Sequence, residues 1–210
     1  MGLIHTPRVF GAIGRGLWKR RQKLGVDTDL NRLGIDRKHV YKAKVGVWDY
    51  ALGHMNNASY LNHAEYCRWD LAAQNGMLGG LHKVGGAFIV GGCSIRYRRE
   101  IKPFMREFVI ETHAARIDDT NVWLVHHFRH NQDGDDGIRA QILCRALFMK
   151  GRTILNPYDF FRNHCGTDEE YLDKLRKPGN TDVDSEIDCY LALEAAQKNT
   201  AAADDKERGR

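Results

Sequence analysis

No run of about eighteen apolar residues occurs in the chain, so the sequence predicts no helix that spans a bilayer. There is no C-x-x-C pair either. The five cysteines, Cys67, Cys93, Cys144, Cys165 and Cys189, are odd in number and widely spaced. That pattern suggests neither a disulfide scaffold nor a zinc ribbon. Cys67, Cys93 and Cys144 fall in apolar runs and are expected to be buried and reduced. A reducing compartment follows, with mitochondrial matrix and cytosol left undivided. Internal repeats and DNA-binding motifs are also missing. No acid precedes Asp27, whereas Arg8, Arg15, Lys19, Arg20, Arg21 and Lys23 do.

That missing acid accounts for the charge balance. The net charge of +5 belongs largely to the first residues, while the end is acidic through Asp182, Asp184, Glu186, Asp188, Glu194, Asp204, Asp205 and Glu207. Basicity therefore says little about the ligand of the domain between them. Residues 1–26 are rich in small residues, with Val9, Phe10, Ile13 and Leu17 near helical spacing. Three readings stay open: a mitochondrial targeting segment (although serine is lacking), a solvated basic arm, and a membrane-associated N-terminus. For the last, Met1-Gly2-Leu3-Ile4-His5-Thr6 fits the N-myristoylation pattern, with a polybasic stretch behind it.

The chain divides into a basic extension (1–39), a central domain (40–155) and a helical appendage with a tail (156–210). Residues 27–39 read as a linker. Alternation over Val40–Trp48 predicts a strand. Leu61, Ala64, Cys67, Arg68, Leu71 and Ala72 keep a helical rhythm, predicting a helix over about Asn57–Asn75. Asn56 or Asn57 is its candidate N-cap and Gly76 its candidate C′ residue. Gly79-Gly80 and Gly85-Gly86 predict a loop. Four strands follow: Ala87–Arg99, with a bulge or close approach at Gly91-Gly92; Arg106–Arg116, after Pro103; Val122–His130; and Ile138–Lys150. Asp133–Gly137 reads as a hairpin loop. Thr167-x-x-Glu170 reads as a capping box before a short helix. A second helix is predicted over Asp184–Lys198, and Thr200–Arg210 is expected to be disordered.

One strand, one helix with apolar residues on many sides and four more strands make an α+β domain. A curved sheet wrapped around the helix would bury it. Between strand and helix lies Trp48-Asp49-Tyr50-Ala51-Leu52-Gly53-His54-Met55-Asn56-Asn57-Ala58-Ser59-Tyr60. The element order and the Gly53–Tyr60 signature resemble the hotdog fold, in its 4-hydroxybenzoyl-CoA-thioesterase-like branch. Glu65-Tyr66-Cys67-Arg68 is similar to the family's acid-x-x-Arg. Arg96-Tyr97-Arg98-Arg99 resembles the strand end of thioesterase-superfamily-member proteins. The resemblance covers about residues 40–155 and implies a helix wrapped by about five antiparallel strands. It also implies hydrolysis of an acyl thioester in a homodimer, with acyl-CoA or acyl-carrier protein as partner and coenzyme A entering only with the substrate. The family's usual catalytic acid aligns with Tyr50, however, so Asp49 is out of register.

Thioester hydrolysis needs a base or nucleophile, a positioned water and a donor for the oxyanion. Asp49 is the candidate base. A regular strand would point it away, and one extra residue in the turn would bring it back. His54 is a candidate for polarising the carbonyl, or for bonding the turn backbone. Asn56 and Asn57 are candidates as caps or as participants in the reaction. Glu65 is an alternative base, or a partner of Arg68 one turn on. Arg96, Arg98, Arg99, Lys102 and Arg152 are candidate cations for coenzyme A phosphates, or a solvated strand edge. His126 and His130 do not converge on a strand, so no metal site is read. A second functional reading stands beside the enzyme. In it the chain is a degenerate hotdog protein that serves as a structural accessory subunit of a mitochondrial multiprotein assembly.

Overall fold

The computed structural model describes residues 2–24, 30–35, 37–51, 53–102, 107–130, 137–179, 181 and 183–207. The expected linker residues 27–29, Pro103-Phe104 and the hairpin residues 131–136 lie outside the described residues.

The long helix forms where its periodicity placed it, as α2 (Asn57–Gln74), counting from an N-terminal helix α1 (Gly2–Lys23). The Asn56 side chain accepts from the Ser59 N–H at 2.9 Å, which satisfies one donor the helix start leaves over. Gly76 follows with φ +88°, a left-handed conformation that costs glycine nothing. The chain then starts α3 (Met77–Val84) at once, so Gly79-Gly80 are helical, not a loop. A Cβ on Gly80 would come within 3.1 Å of Phe160 and His164, so glycine is what lets α3 approach that segment.

Before α2 come a 3-10 turn Leu30–Arg32, β1 (His39–Lys44), a second 3-10 turn Val47–Asp49, and the two-residue strands β2 (Tyr50–Ala51) and β3 (His54–Met55). After α3 come β4 (Ala87–Tyr97), β5 (Glu107–Ile117), β6 (Val122–His130) and β7 (Ile138–Lys150). A short β8 (Thr153–Leu155), not expected from the sequence, doubles back on β7. The main sheet runs β1-β5-β6-β7-β4, antiparallel throughout. The register of β4 slips between Val90 and Gly92, and a Cβ on Gly92 would overlap the Tyr190 hydroxyl. Bulge and close approach thus coincide at Gly91-Gly92.

This is a hotdog-like α+β fold, with a curled five-strand sheet around a helix. The inner sheet face, with Phe108, Ile110, Phe128, Ile142 and Phe148, packs on the buried face of α2. The outer face is covered too. The last helix, preceded by α4 (Pro157–Phe160) and α5 (Glu169–Arg176), is α6 (Asp184–Glu207). Its Ile187, with Val183 just before it, packs on Ala115, Trp123, Val125 and Leu143. Burial of each such side chain contributes about 1.5–3 kcal/mol. Cover on both faces explains why nearly all of β6 is buried, although its side chains alternate.

Three further expectations are corrected. Thr200–Glu207 continues α6 and is not disordered; 208–210 lie outside the described residues. The N-cap of α5 is Asp168, which accepts from Glu170 N–H, and not Thr167. Cys93 is exposed, because it sits on β4, the sheet's edge; Cys67 and Cys144 are buried.

Candidate active site

The 3-10 turn Val47–Asp49 settles the direction of Asp49. A 3-10 turn advances side chains by about 120° per residue where a strand alternates them, so Trp48 points out and Asp49 points in. Trp48 is 71 % exposed and Asp49 is 1 % exposed. The turn is held from both sides: Asp49 Oδ2 accepts from Gly46 N–H at 3.0 Å, and Asp49 C=O accepts from Asn56 N–H at 2.8 Å.

Two more groups close on the carboxylate. Arg8 of α1 donates Nη1 to Oδ1 and Nη2 to Oδ2, both at 2.9 Å, the forked geometry a guanidinium offers a carboxylate. His63 of α2 places Nε2 at 3.2 Å from Oδ2. Burial pushes the Asp49 carboxyl up, but the bonds from His63 and Arg8 outweigh it and hold the group well below the usual carboxylate range. Burial also lowers the His63 imidazole, against the pull of Asp49. His63 is therefore neutral at pH 7, with its proton on Nε2 toward Asp49, and its Nδ1 is buried without a partner.

Asp49 lines a cleft of about 600 Å³ with His5 and Arg8 of α1, Trp48, and Asn56, Ala58, Ser59, Asn62, Glu65 and Tyr66 around the start of α2. The Asn57 and Ala58 N–H groups have no intrahelical acceptor, because they belong to the first turn. Together with the helix dipole they favour negative charge at this end. The cleft therefore combines an ionised carboxylate, a neutral imidazole behind it and free amides beside it.

α1 is held over this cleft by a second buried acid. Asp70 of α2 is fully buried and meets Arg15 Nε at 2.9 Å, His39 Nε2 at 3.1 Å, Lys19 Nζ at 3.5 Å and Gln74 Nε2 at 2.6 Å. A Cβ on Gly16 would meet Asp70 O at 2.5 Å and Ala73 Cβ at 2.7 Å, so the two helices touch backbone to backbone there.

The other residues singled out in the sequence are scattered. His54 pairs with Ala51 in the β2–β3 ladder and does not line the cleft. Asn57 is exposed at the first position of α2, its C=O accepting from Tyr97 Oη at 3.2 Å. Glu65 lines the cleft but does not pair with Arg68; its partners are His5 Nε2 at 3.1 Å and Trp69 Nε1 at 3.4 Å. Arg68 turns inward to His126 Nε2 at 3.3 Å. Arg96, Arg98 and Arg99 are exposed beside the start of β7, whereas exposed Arg152 follows its end. An eleven-residue strand spans roughly 35 Å, so one coenzyme phosphate cannot engage all four.

Arg8, His63 and Asp70 were missed. Arg8 and Asp49 are 41 residues apart, beyond any local pattern. The one available signal was the position of His63, six residues after the first residue of α2 on the side that faces the turn.

The family model for the thioesterase-like superfamily matches residues 27–175. The chain belongs to that superfamily. Within it, the chain is 31 % identical over 94 residues to Protein THEM6 of Xenopus laevis, covering 45 % of this chain and 44 % of that protein. It spans about half the length of the curated relatives it matches. Among solved structures, the YbaW probable thioesterase of Escherichia coli superposes with a TM-score of 0.54 at 20 % identity, over 66 % of this chain and 98 % of that one. Protein SAV2348 of Staphylococcus aureus, solved in complex with CoA, gives a TM-score of 0.54 at 11 % identity, over 67 % and 86 %. These likenesses at low identity establish the superfamily's fold.

Proposed function

We propose that the chain hydrolyses acyl thioesters, with an acyl-CoA as substrate, at the cleft between α1 and the start of α2. The observation that carries this reading is the Asp49 carboxylate, held ionised in the cleft that the first turn of α2 lines through Ala58 and Ser59. Asp49 orients water against the thioester carbonyl, and its His63 hydrogen bond fixes its rotamer. As water adds, Asp49 takes its proton and the Ala58 N–H stabilises the oxyanion; collapse then breaks the C–S bond, and the thiolate leaves with that proton as the free thiol. The superfamily and the CoA bound to SAV2348 support the choice of substrate class. The free edge of β4, with Ile89, Val90 and Tyr97 exposed, supports a homodimer built edge to edge.

The test is release of free thiol from acyl-CoAs over a range of chain lengths, compared between the native chain and Asp49→Asn. Turnover lost by about 10²-fold or more in a variant that still melts cooperatively supports the reading. No turnover by the native chain at any length defeats it.

The Arg8 fork favours a second reading, in which the cleft is permanently closed and the chain is a non-catalytic accessory subunit. That reading expects no turnover, even after Arg8→Ala, and a stable complex on gentle purification.

A further inference from the structure

The inner face of α1 is spent on α2 and on the turn before it, through Arg8, Ala12, Arg15 and Gly16. Its outer face is apolar as well. Phe10 is 67 % exposed, Leu17 49 % and Trp18 59 %, and Leu24 just past the helix is 59 % exposed. At about 100° per residue, Phe10, Leu17 and Trp18 share one arc of roughly 100°, opposite the face on α2. Single exposed apolar residues are ordinary, but three along one helix with a fourth just past its end form a patch that calls for an occupant.

Charge identifies that occupant. No acidic residue occurs in Gly2–Lys23, and Arg20, Arg21 and Lys23 crowd the last turn, next to Trp18 and Leu24. The cations of the inner face are already matched: Arg8 by Asp49, Arg15 and Lys19 by Asp70. Arg21 and Lys23 have no ion pair among the described residues. A helix with bulky apolar groups along one arc, a tryptophan among them and cations at its end suits the boundary between lipid headgroups and acyl chains. A protein surface would match the apolar arc equally well. The one-sided positive end favours an anionic bilayer instead, which attracts such clusters.

We propose that the outer face of α1 docks the folded chain flat on an anionic membrane surface, through Phe10, Leu17, Trp18 and Leu24, with Arg21, which falls within the same arc, on the headgroups. No helix among the described residues is long and apolar enough to cross a membrane, so this attachment is peripheral. It is independent of whether the cleft turns over thioesters.

Vesicle sedimentation with the full chain tests it. The chain is expected to sediment with vesicles of phosphatidylcholine carrying about 30 mol % phosphatidylserine, and about tenfold less with pure phosphatidylcholine or at high salt. The triple variant Phe10→Ser, Leu17→Ser, Trp18→Ser is expected to lose about tenfold or more in vesicle affinity, because each bulky group contributes separately. Arg21→Glu keeps the apolar arc and is expected to weaken binding to the anionic vesicles alone. Because these side chains point away from α2, thermal unfolding of both variants should match the native chain, which keeps misfolding out of the readout. A native chain that stays in the supernatant overturns the proposal. So does a triple variant that binds as the native chain does, or one whose sole change is a smaller oligomer; the last outcome assigns the face to a second copy.

Discussion

Arg8 and Asp49 meet through two parallel hydrogen bonds of 2.9 Å, across 41 residues of sequence, in the wall of the cleft at the start of α2. The pair brings the basic N-terminal helix and the acid of the turn into one unit. The carboxylate is thereby already compensated before any substrate arrives.

Arg8→Ala should therefore change the acid more than the fold. Arg8 is about a third exposed at its side chain, so its loss costs on the order of 1–2 kcal/mol of stability. The pKa of Asp49 should rise, because both bonds from Arg8 are gone and only those from His63 and Gly46 still hold it down. In a pH profile of kcat/KM the acid limb should move to higher pH. A limb that stays in place would mean that Asp49 does not titrate in the reaction.

The buried Asp70 should be the firmer anchor. Asp70→Asn keeps the shape but leaves Arg15 and Lys19 without their counter-charge, at a cost of about 3 kcal/mol. Urea unfolding measures the loss. Hydrogen exchange should locate it in α1, whose amides should exchange faster while those of β5–β7 keep their order of protection. Unchanged protection of α1 would remove Asp70 as its anchor.

Acid should weaken the fold well above the carboxylate range. Burial lowers His39, His63 and His126, and His126 most, with Arg68, His113, His127 and His39 adding positive charge around it. For a group lowered in the folded state, the unfolded chain takes up the proton first. The contribution is complete above the unfolded value near 6.5 and is lost as pH falls below it toward the folded values. Asp49 and Asp70 are also lowered, and their contribution fades only in stronger acid, below about pH 4. Tm should then fall by roughly 5 °C or more between pH 7.5 and pH 5. His126→Gln, which cannot take up a proton, should flatten that slope; an equally steep slope in the variant would place the linkage elsewhere.

The outer cover of the sheet can be probed at one residue. Ile187 is fully buried between α6 and the sheet, and Ile187→Ala should cost about 2–4 kcal/mol through lost burial and the cavity left behind. Trp123 lies on the same sheet face, edge-on to Tyr190 at 5.5 Å, so its fluorescence should shift as α6 loosens. A near-neutral result would make α6 an ornament of the fold.

Local chemistry was legible from the residues alone. Alternation and helical rhythm placed α2 and the four long strands to within two residues at most ends, because period and turn chemistry act within a few positions. The same holds for the Asn56 cap and the bulge at Gly91-Gly92. Gly79-Gly80 misled, since glycine usually breaks a helix and here permits a close approach to Phe160 that only packing creates. The orientation of Asp49 depended on one 3-10 turn, a rotation that a register argument on a strand does not contain. Arg8, His63 and Asp70 acquired their roles when α1 lay down on α2, and α6 acquired its when it covered Trp123. Sequence by itself thus determined the fold class and the order of elements, through interactions between near neighbours. Which side chains surround the acid was decided only in three dimensions, because ion pairs and burial depend on distance in space and not on separation along the chain.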